Sequence, residues 1–159
     1  MIIDTLITNR TQADVDYVNT LTAKWLAGTI TNDEKAEWLA GLKGAYNYTD
    51  LNRVGEAVEY VADILNQSGR SVSVTAKQNW TVADIPTVAQ MSAFLNDLTL
   101  LKSSVRGVTI QVPSNMNNLD YQTANRIEQL ILAVYNAINR ERADSEICGI
   151  AICGAEGVL

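Results

Sequence analysis

Histidine is absent from this chain of 159 residues. Its absence removes the commonest general base, the Ser-His and Cys-His nucleophile pairs, and the commonest transition-metal ligand. Cysteine is scarce too: Cys148 and Cys153 stand alone near the C-terminus, short of the roughly four N or S ligands of a zinc site. Among Ile147, Gly149, Ile150, Ile152 and Gly154 they read as reduced packing thiols in a hairpin or extended tail. A cross-strand or intermolecular disulfide is the alternative outside a reducing cytosol. Proline occurs twice and 47% of the residues are apolar, a composition that argues against disorder. No stretch approaches the ~18 consecutive apolar residues of a membrane span. Positive charge is not in excess either: the net charge is −6, which argues against nucleic acid, since phosphate binding needs clustered Lys and Arg. The opening MIIDTLITNRT lacks a basic region followed by an apolar one, so no export signal is expected.

Catalytic motifs are missing as well. There is no GxSxG, no phosphate-cradling glycine loop and no calcium loop, and the Asn-rich SNMNNLD brings a single acid. Acidic pairs such as Asp33/Glu34 and Glu56/Glu59 fall on helix faces that the pattern leaves wet. No catalytic residue, cofactor site or metal site is therefore expected.

What is present is helical periodicity. Leu51, Val54, Val58, Val61 and Leu65 recur at spacings of three and four, with Thr49 and Asp50 placed to cap and Gly69 placed to stop. Val88 to Val105, through Leu95, gives a second stripe, capped by Thr81 or Asp84 and ended by Gly107. Ala124 to Ile138, through Ile131, gives a third, capped by Asp120. Shorter helices follow the capping boxes Thr11/Asp14 and Thr31/Glu34 and end at Gly28 and Gly44. Trp25 and Trp38 lie on their helix faces and are expected in the core. Trp80 lies in a loop, where it either packs on the next helix or offers an exposed ring.

The expected fold is mainly α: a bundle of about five helices, three of them long, with short extended segments. Residues 1–10 form an extended arm, 11–142 the helical domain, and 143–159 an extended tail or hairpin. Ser71–Thr75 alternates as a strand would, and Pro113 rules out a central strand in VTIQVPSNMNN. Both long connections exceed the two to eight residues usual between bundle helices. They are free to cross the bundle, to form a small sheet with the terminal segments, or to reach a neighbouring subunit.

Four segments, NRTQADVDYVNTL, EKAEWLAGLKGAYNYTDLNRVGEAVEYVADILN, VSVTAKQNWTVADIPTVAQM and NNLDYQTANRIEQLILAVY, resemble in order and spacing a module of prophage tail regions in gut Gram-positive (Firmicutes) bacteria. The likeness runs from about Asn9 to Tyr135; the ending ICGIAICGAEGVL departs from that module's aromatic, Ser-Gly-rich tail. The resemblance implies a non-enzymatic structural or assembly component of a phage tail or baseplate, found in the virion tail and in the bacterial cytoplasm during expression. Its partners would be other tail proteins or further copies of itself, with neither nucleic acid nor membrane. The motif positions it brings forward for partner contact are Trp38, Tyr46, Asn47, Asp50, Arg53, Trp80, Asp84 and Pro86, to which Tyr48 is added as an aromatic. The alternative is a receptor- or cell-wall-glycan-binding module that stacks Trp80, Tyr46 or Tyr48 on sugars; a small carboxylate hydrolase is a third, weaker reading.

Overall fold

The structure, a computed structural model, describes residues 1–117 and 119–154, with side chains described as far as Asp144. Among the described residues a single 3-10 turn, Ile2–Thr5, precedes five α-helices: α1 (Gln12–Leu26), α2 (Asn32–Ala40), α3 (Tyr48–Gln67), α4 (Val88–Ser103) and α5 (Tyr121–Gly154). The stripes of α3, α4 and α5 meet in one core that includes Val58, Leu95 and Ile131. The backbone of α5 stays helical past residue 143 as far as Gly154, where an extended segment was expected; 155–159 lie outside the described residues.

Helix starts follow side-chain chemistry, with two shifts from expectation. Thr11 and Thr31 cap α1 and α2 through reciprocal bonds with Asp14 and Glu34, and Asp120 accepts the Thr123 N–H at 2.7 Å. The cap of α3 is Asn47, whose side chain accepts the Thr49 N–H at 2.8 Å while Asp50 accepts the Asn47 N–H at 2.9 Å. The cap of α4 is Thr87 with Gln90. Thr81 and Asp84 close a separate turn six residues earlier, where the Thr81 N–H donates to Asp84 at 2.7 Å. Pro86 explains the delay, because the residue before a proline is pushed out of the α region and Ile85 cannot begin a helix. Two helices also end early. Gly41, at φ +99°, stops α2 ahead of Gly44, and α4 stops at Ser103, ahead of Gly107.

The long connections explain themselves once the helix directions are read from contacts. At one end, the Arg70 guanidinium donates to the Ser104 carbonyl at 2.8 Å and pairs with Glu141, and the Arg106 N–H donates to Glu141 at 3.2 Å. The ends of α3 and α4 therefore sit beside the same part of α5, and the three helices run in one direction. Each must be re-entered at its start, so the chain climbs back along the outside. Residues 71–80 climb beside α3, from Asn66 to Asn52, touching Asp97 of α4 on the way. The chain before α1 climbs between α3 and α5. Met1 Sδ lies 2.8 Å from Tyr60 Oη and 3.5 Å from Tyr135 Oη, and Arg10 reaches Asn125. The third return starts beside Glu141 and ends along Met91 and Ser92.

These returns carry the period-two pattern of strands but form no strand among the described residues. Val72, Val74 and Ala76 turn inward, as do Val108, Ile110 and Val112, to pack on the core. Their backbone groups are met by helix side chains in place of a sheet partner. The Asn52 amide receives the Trp80 N–H at 2.7 Å and donates to the Trp80 carbonyl at 2.9 Å. Asn66 does the same for Val72 at 2.7 and 2.9 Å, and Asn125 for Arg10 at 2.9 and 2.8 Å. Backbone contact is close enough at Gly55 that a Cβ would lie 2.5 Å from the Lys77 carbonyl oxygen.

Parallel helices add their dipoles, leaving positive charge at the starts and negative charge at the ends. The side chains answer this. Asp50 and Asp120 lie at the starts of α3 and α5, where Arg10 and Arg53 are paired with carboxylates, with Asp84 just ahead of α4, and Arg70, Lys102, Arg106 and Arg140 lie where α3 and α4 end, with Glu141 and Asp144 among them.

Candidate functional site

Three places have chemistry to consider, and the first is buried. Arg10 is 3% exposed, Asp50 4% and Glu128 0%. One Arg10 nitrogen donates to Asp50 at 2.9 Å and to Glu128 at 2.7 Å, while Arg53 pairs with the same two carboxylates. The remaining Arg10 bonds go to the carbonyls of Lys43 at 3.1 Å and Ile7 at 2.7 Å. Glu128 also accepts the Ile7 N–H, and Asp50 the Asn47 N–H. Two cations and two anions thus balance, with their oxygens occupied. Such a group is a fastener: losing one member would strand a buried charge, at about 3–5 kcal/mol. It ties residues 7–10, the start of α3 and the start of α5 into one unit.

Tyr46 lies against this network, with the Arg10 guanidinium 5.3 Å from its ring centre. The residue as a whole is only half-buried, yet its hydroxyl is out of solvent and has no hydrogen-bond partner among the described residues. Burial raises its pKa above the ordinary phenol range, and the nearby charges of Glu128 and Asp50 add to the rise.

The second place is the hairpin of α1 and α2. Leu21, Ile30 and Leu42 are buried there but stand outside the core of the bundle. No α2 residue is buried. Trp25 is 45% exposed and tilts against Trp38 with ring centres 6.2 Å apart, so these rings form a pair on the hairpin and not part of the main core as expected. Leu26 is 82% and Leu39 80% exposed. The hairpin is closed at its base, where Gly44 passes so near α1 that a Cβ would fall 2.1 Å from the Asp14 carbonyl oxygen.

The third place is a groove of 340 Å³ where α3, α4 and the third return meet. Tyr46, Pro86 and Leu119, each just before a helix cap, line it together with Leu51, Met91 and Leu95. Hydrophobic residues at these positions characteristically fold back onto the first turn of the helix they precede.

The proposed contact residues do not gather at a single site. Trp38 is in the hairpin, half-buried against Trp25. Tyr46 is beside the charge network and lines the groove. Tyr48 is exposed in the first turn of α3. Trp80 is 5% exposed, its indole N–H donating to the Lys77 carbonyl at 3.2 Å and its face covered by the Lys77 ammonium at 4.2 Å. Asp84 holds the Thr81 turn and pairs with Lys77 at 3.3 Å; the Thr81 N–H and hydroxyl keep its carboxyl below the usual range, with Lys77 adding to this. Of the further motif positions, Asn47, Asp50 and Arg53 are parts of the α3 cap and the charge network, and Pro86 lines the groove.

Sequence reading missed the pairing of Arg10 with Glu128, which 118 positions separate. It also missed a repeat that was open to view. RSVSVTA from Arg70 and RGVTIQV from Arg106 share their alternation, and each opens a return that leads to a helix.

Compared with known protein families, with curated proteins and with solved structures, the chain matches none.

Proposed function

We propose that this chain is a structural or assembly component of a phage or prophage tail, acting through protein–protein contacts and without catalysis. The observation that supports this reading most is the α1–α2 hairpin, which leaves Leu26 and Leu39 about four-fifths exposed beside a half-exposed Trp25. Large apolar side chains left this exposed suit burial against another protein. The sequence resemblance supplies the setting, and the hairpin supplies a surface on which subunits or neighbouring tail proteins would close. In the buried network, Asp50 and Glu128 are engaged by two guanidiniums and by backbone N–H groups, an arrangement that favours a fastener over an acid–base pair.

The test is multi-angle light scattering of the chain alone and mixed with proteins encoded beside it. The reading expects a species larger than a monomer in at least one sample, and expects Leu26→Ser with Leu39→Ser to abolish it while leaving the melting temperature within a degree or two. A parent chain that stays monomeric in every mixture would overturn it.

A further inference from the structure

We propose that the groove between α3, α4 and the third return is a docking site for an extended segment of a partner protein carrying a large, uncharged, aromatic side chain. The chain's own repeat is the template. Asn52, Ser92 and Asn125 each stand five residues after the capping residue of α3, α4 and α5. Two of the three clamp a returning segment through paired amide bonds, Asn52 to Trp80 and Asn125 to Arg10. Ser92, with a shorter side chain and no amide, cannot make that pair of bonds. The returning side chain differs in the same sense. Trp80 stands ten residues after Arg70, and Met116 ten after Arg106. Where Trp80 is 5% exposed and the space left beside it is 80 Å³, Met116 is smaller and borders a groove of 340 Å³.

The lining sets the chemistry of the occupant. Leu51, Val88, Met91, Leu95 and Met116 supply apolar wall, and no described residue lining the groove carries a formal charge at neutral pH. A charged group would lose its hydration there without a partner, whereas an indole or phenyl ring would gain from burial. Ser92, Asn115 and Asn117 also line the groove, with polar groups of the kind that meet the N–H and C=O of a peptide. Val88, which lines the groove, is 76% exposed, and Ile85, next in the chain to the lining Pro86, is 86% exposed, giving a partner more to cover than one side chain.

The test uses the isolated chain, so its outcome is separate from that of the tail reading. Amide spectra of the 15N-labelled protein are titrated with N-acetyl-tryptophanamide, with N-acetyl-alaninamide and with indole. The expected result is saturable shifts at Met91, Ser92, Leu95 and Met116 with the tryptophan derivative, weaker ones with indole and none with the alanine derivative. Met116→Trp should fill the groove from within, raise Tm by about 2–4 °C and abolish the response. Should that variant fail to fold, Val88→Asp, at an exposed rim position, should weaken binding roughly tenfold. Overturning results would be no saturable response in the parent, an undiminished response in folded Met116→Trp or in Val88→Asp, or indole binding as well as the capped amino acid.

Discussion

The three-helix bundle and the α1–α2 hairpin come from one chain and obey different rules. In the bundle, Val54, Val58, Leu65, Leu98, Ile127 and Ile131 are almost wholly removed from water, and the outer grooves are dressed by returning segments. The hairpin has Leu21, Ile30 and Leu42 to bury, and sends comparable side chains, Leu26 and Leu39, into solvent. Its polar links, Lys24 to Glu34, Lys43 to Asp14 at 3.4 Å and the Tyr17 hydroxyl to Glu37 at 2.7 Å, are partly or fully solvated and contribute little each. The contrast separates two tasks. A well-packed core holds its shape unaided, while an element with a thin core opens at a lower free energy; on the function proposed above, a partner would cover its exposed leucines.

This contrast can be broken most forcefully in the bundle. Val58→Asp places an unpartnered charge where the native residue is 0% exposed and should cost more than about 4 kcal/mol, unfolding the chain in a circular-dichroism melt. Its neighbour Glu59 is exposed, and Glu59→Gln should change the melt little. Next in size is Glu128→Gln, which leaves Arg10 and Arg53 sharing one carboxylate and should cost about 3–5 kcal/mol in urea titration. If Glu128→Gln were as harmless as Glu59→Gln, the network would not fasten the N-terminal segment.

In the hairpin, Leu21→Ala should cost about 2–4 kcal/mol, but locally. Amides of α1 and α2 would lose protection from hydrogen exchange while those of α3 to α5 keep theirs. A Leu21→Ala variant that lowered the protection of α5 equally would mean that the two regions unfold together.

The smallest effect is a pH dependence within the bundle. Asp97 is 3% exposed, and burial raises its carboxyl pKa against the opposing bonds from the Thr75 N–H and hydroxyl. A raised folded value means that the native state holds this proton more tightly than the unfolded chain, so stability falls as pH rises from the ordinary carboxylate range through Asp97's higher value. Asp120 has the opposite sign. The Thr123 N–H lowers its value, so its contribution is present above the unfolded value and lost as pH falls through the folded one. Asp97→Asn keeps an acceptor for Thr75 and removes the titration. The stability of the parent relative to this variant should therefore decline across that window, and a constant difference would contradict the assignment.

The sequence makes some of this visible and hides the rest for physical reasons. The stripes through Val58, Leu95 and Ile131 are legible because each needs only its own helix, and the Thr11/Asp14 and Thr31/Glu34 boxes because they span four residues. The shared direction of α3, α4 and α5 is not legible, since periodicity is identical whichever way a helix runs. Period-two alternation at Val72 and Val74 reads as a strand because it reports one face inward and one outward, and a segment lying on helices satisfies that as well as one in a sheet. Trp25 misleads for a related reason: an apolar stripe says that a face is sticky, not whether its partner is in the same chain. The groove could not be anticipated without the repeat, which becomes meaningful once Asn52 and Asn125 are seen to do the same work and Ser92 is seen where a third amide would stand.

Native-state hydrogen exchange, resolved by residue, tests most directly the claim that one chain carries a self-sufficient bundle and a dependent hairpin. The account predicts that central amides of α3, α4 and α5, such as Val58, Leu98 and Ile131, open only with global unfolding, and that central amides of α1 and α2, such as Leu21 and Glu37, open at a free energy several kcal/mol lower. Equal opening free energies in the two regions would contradict it.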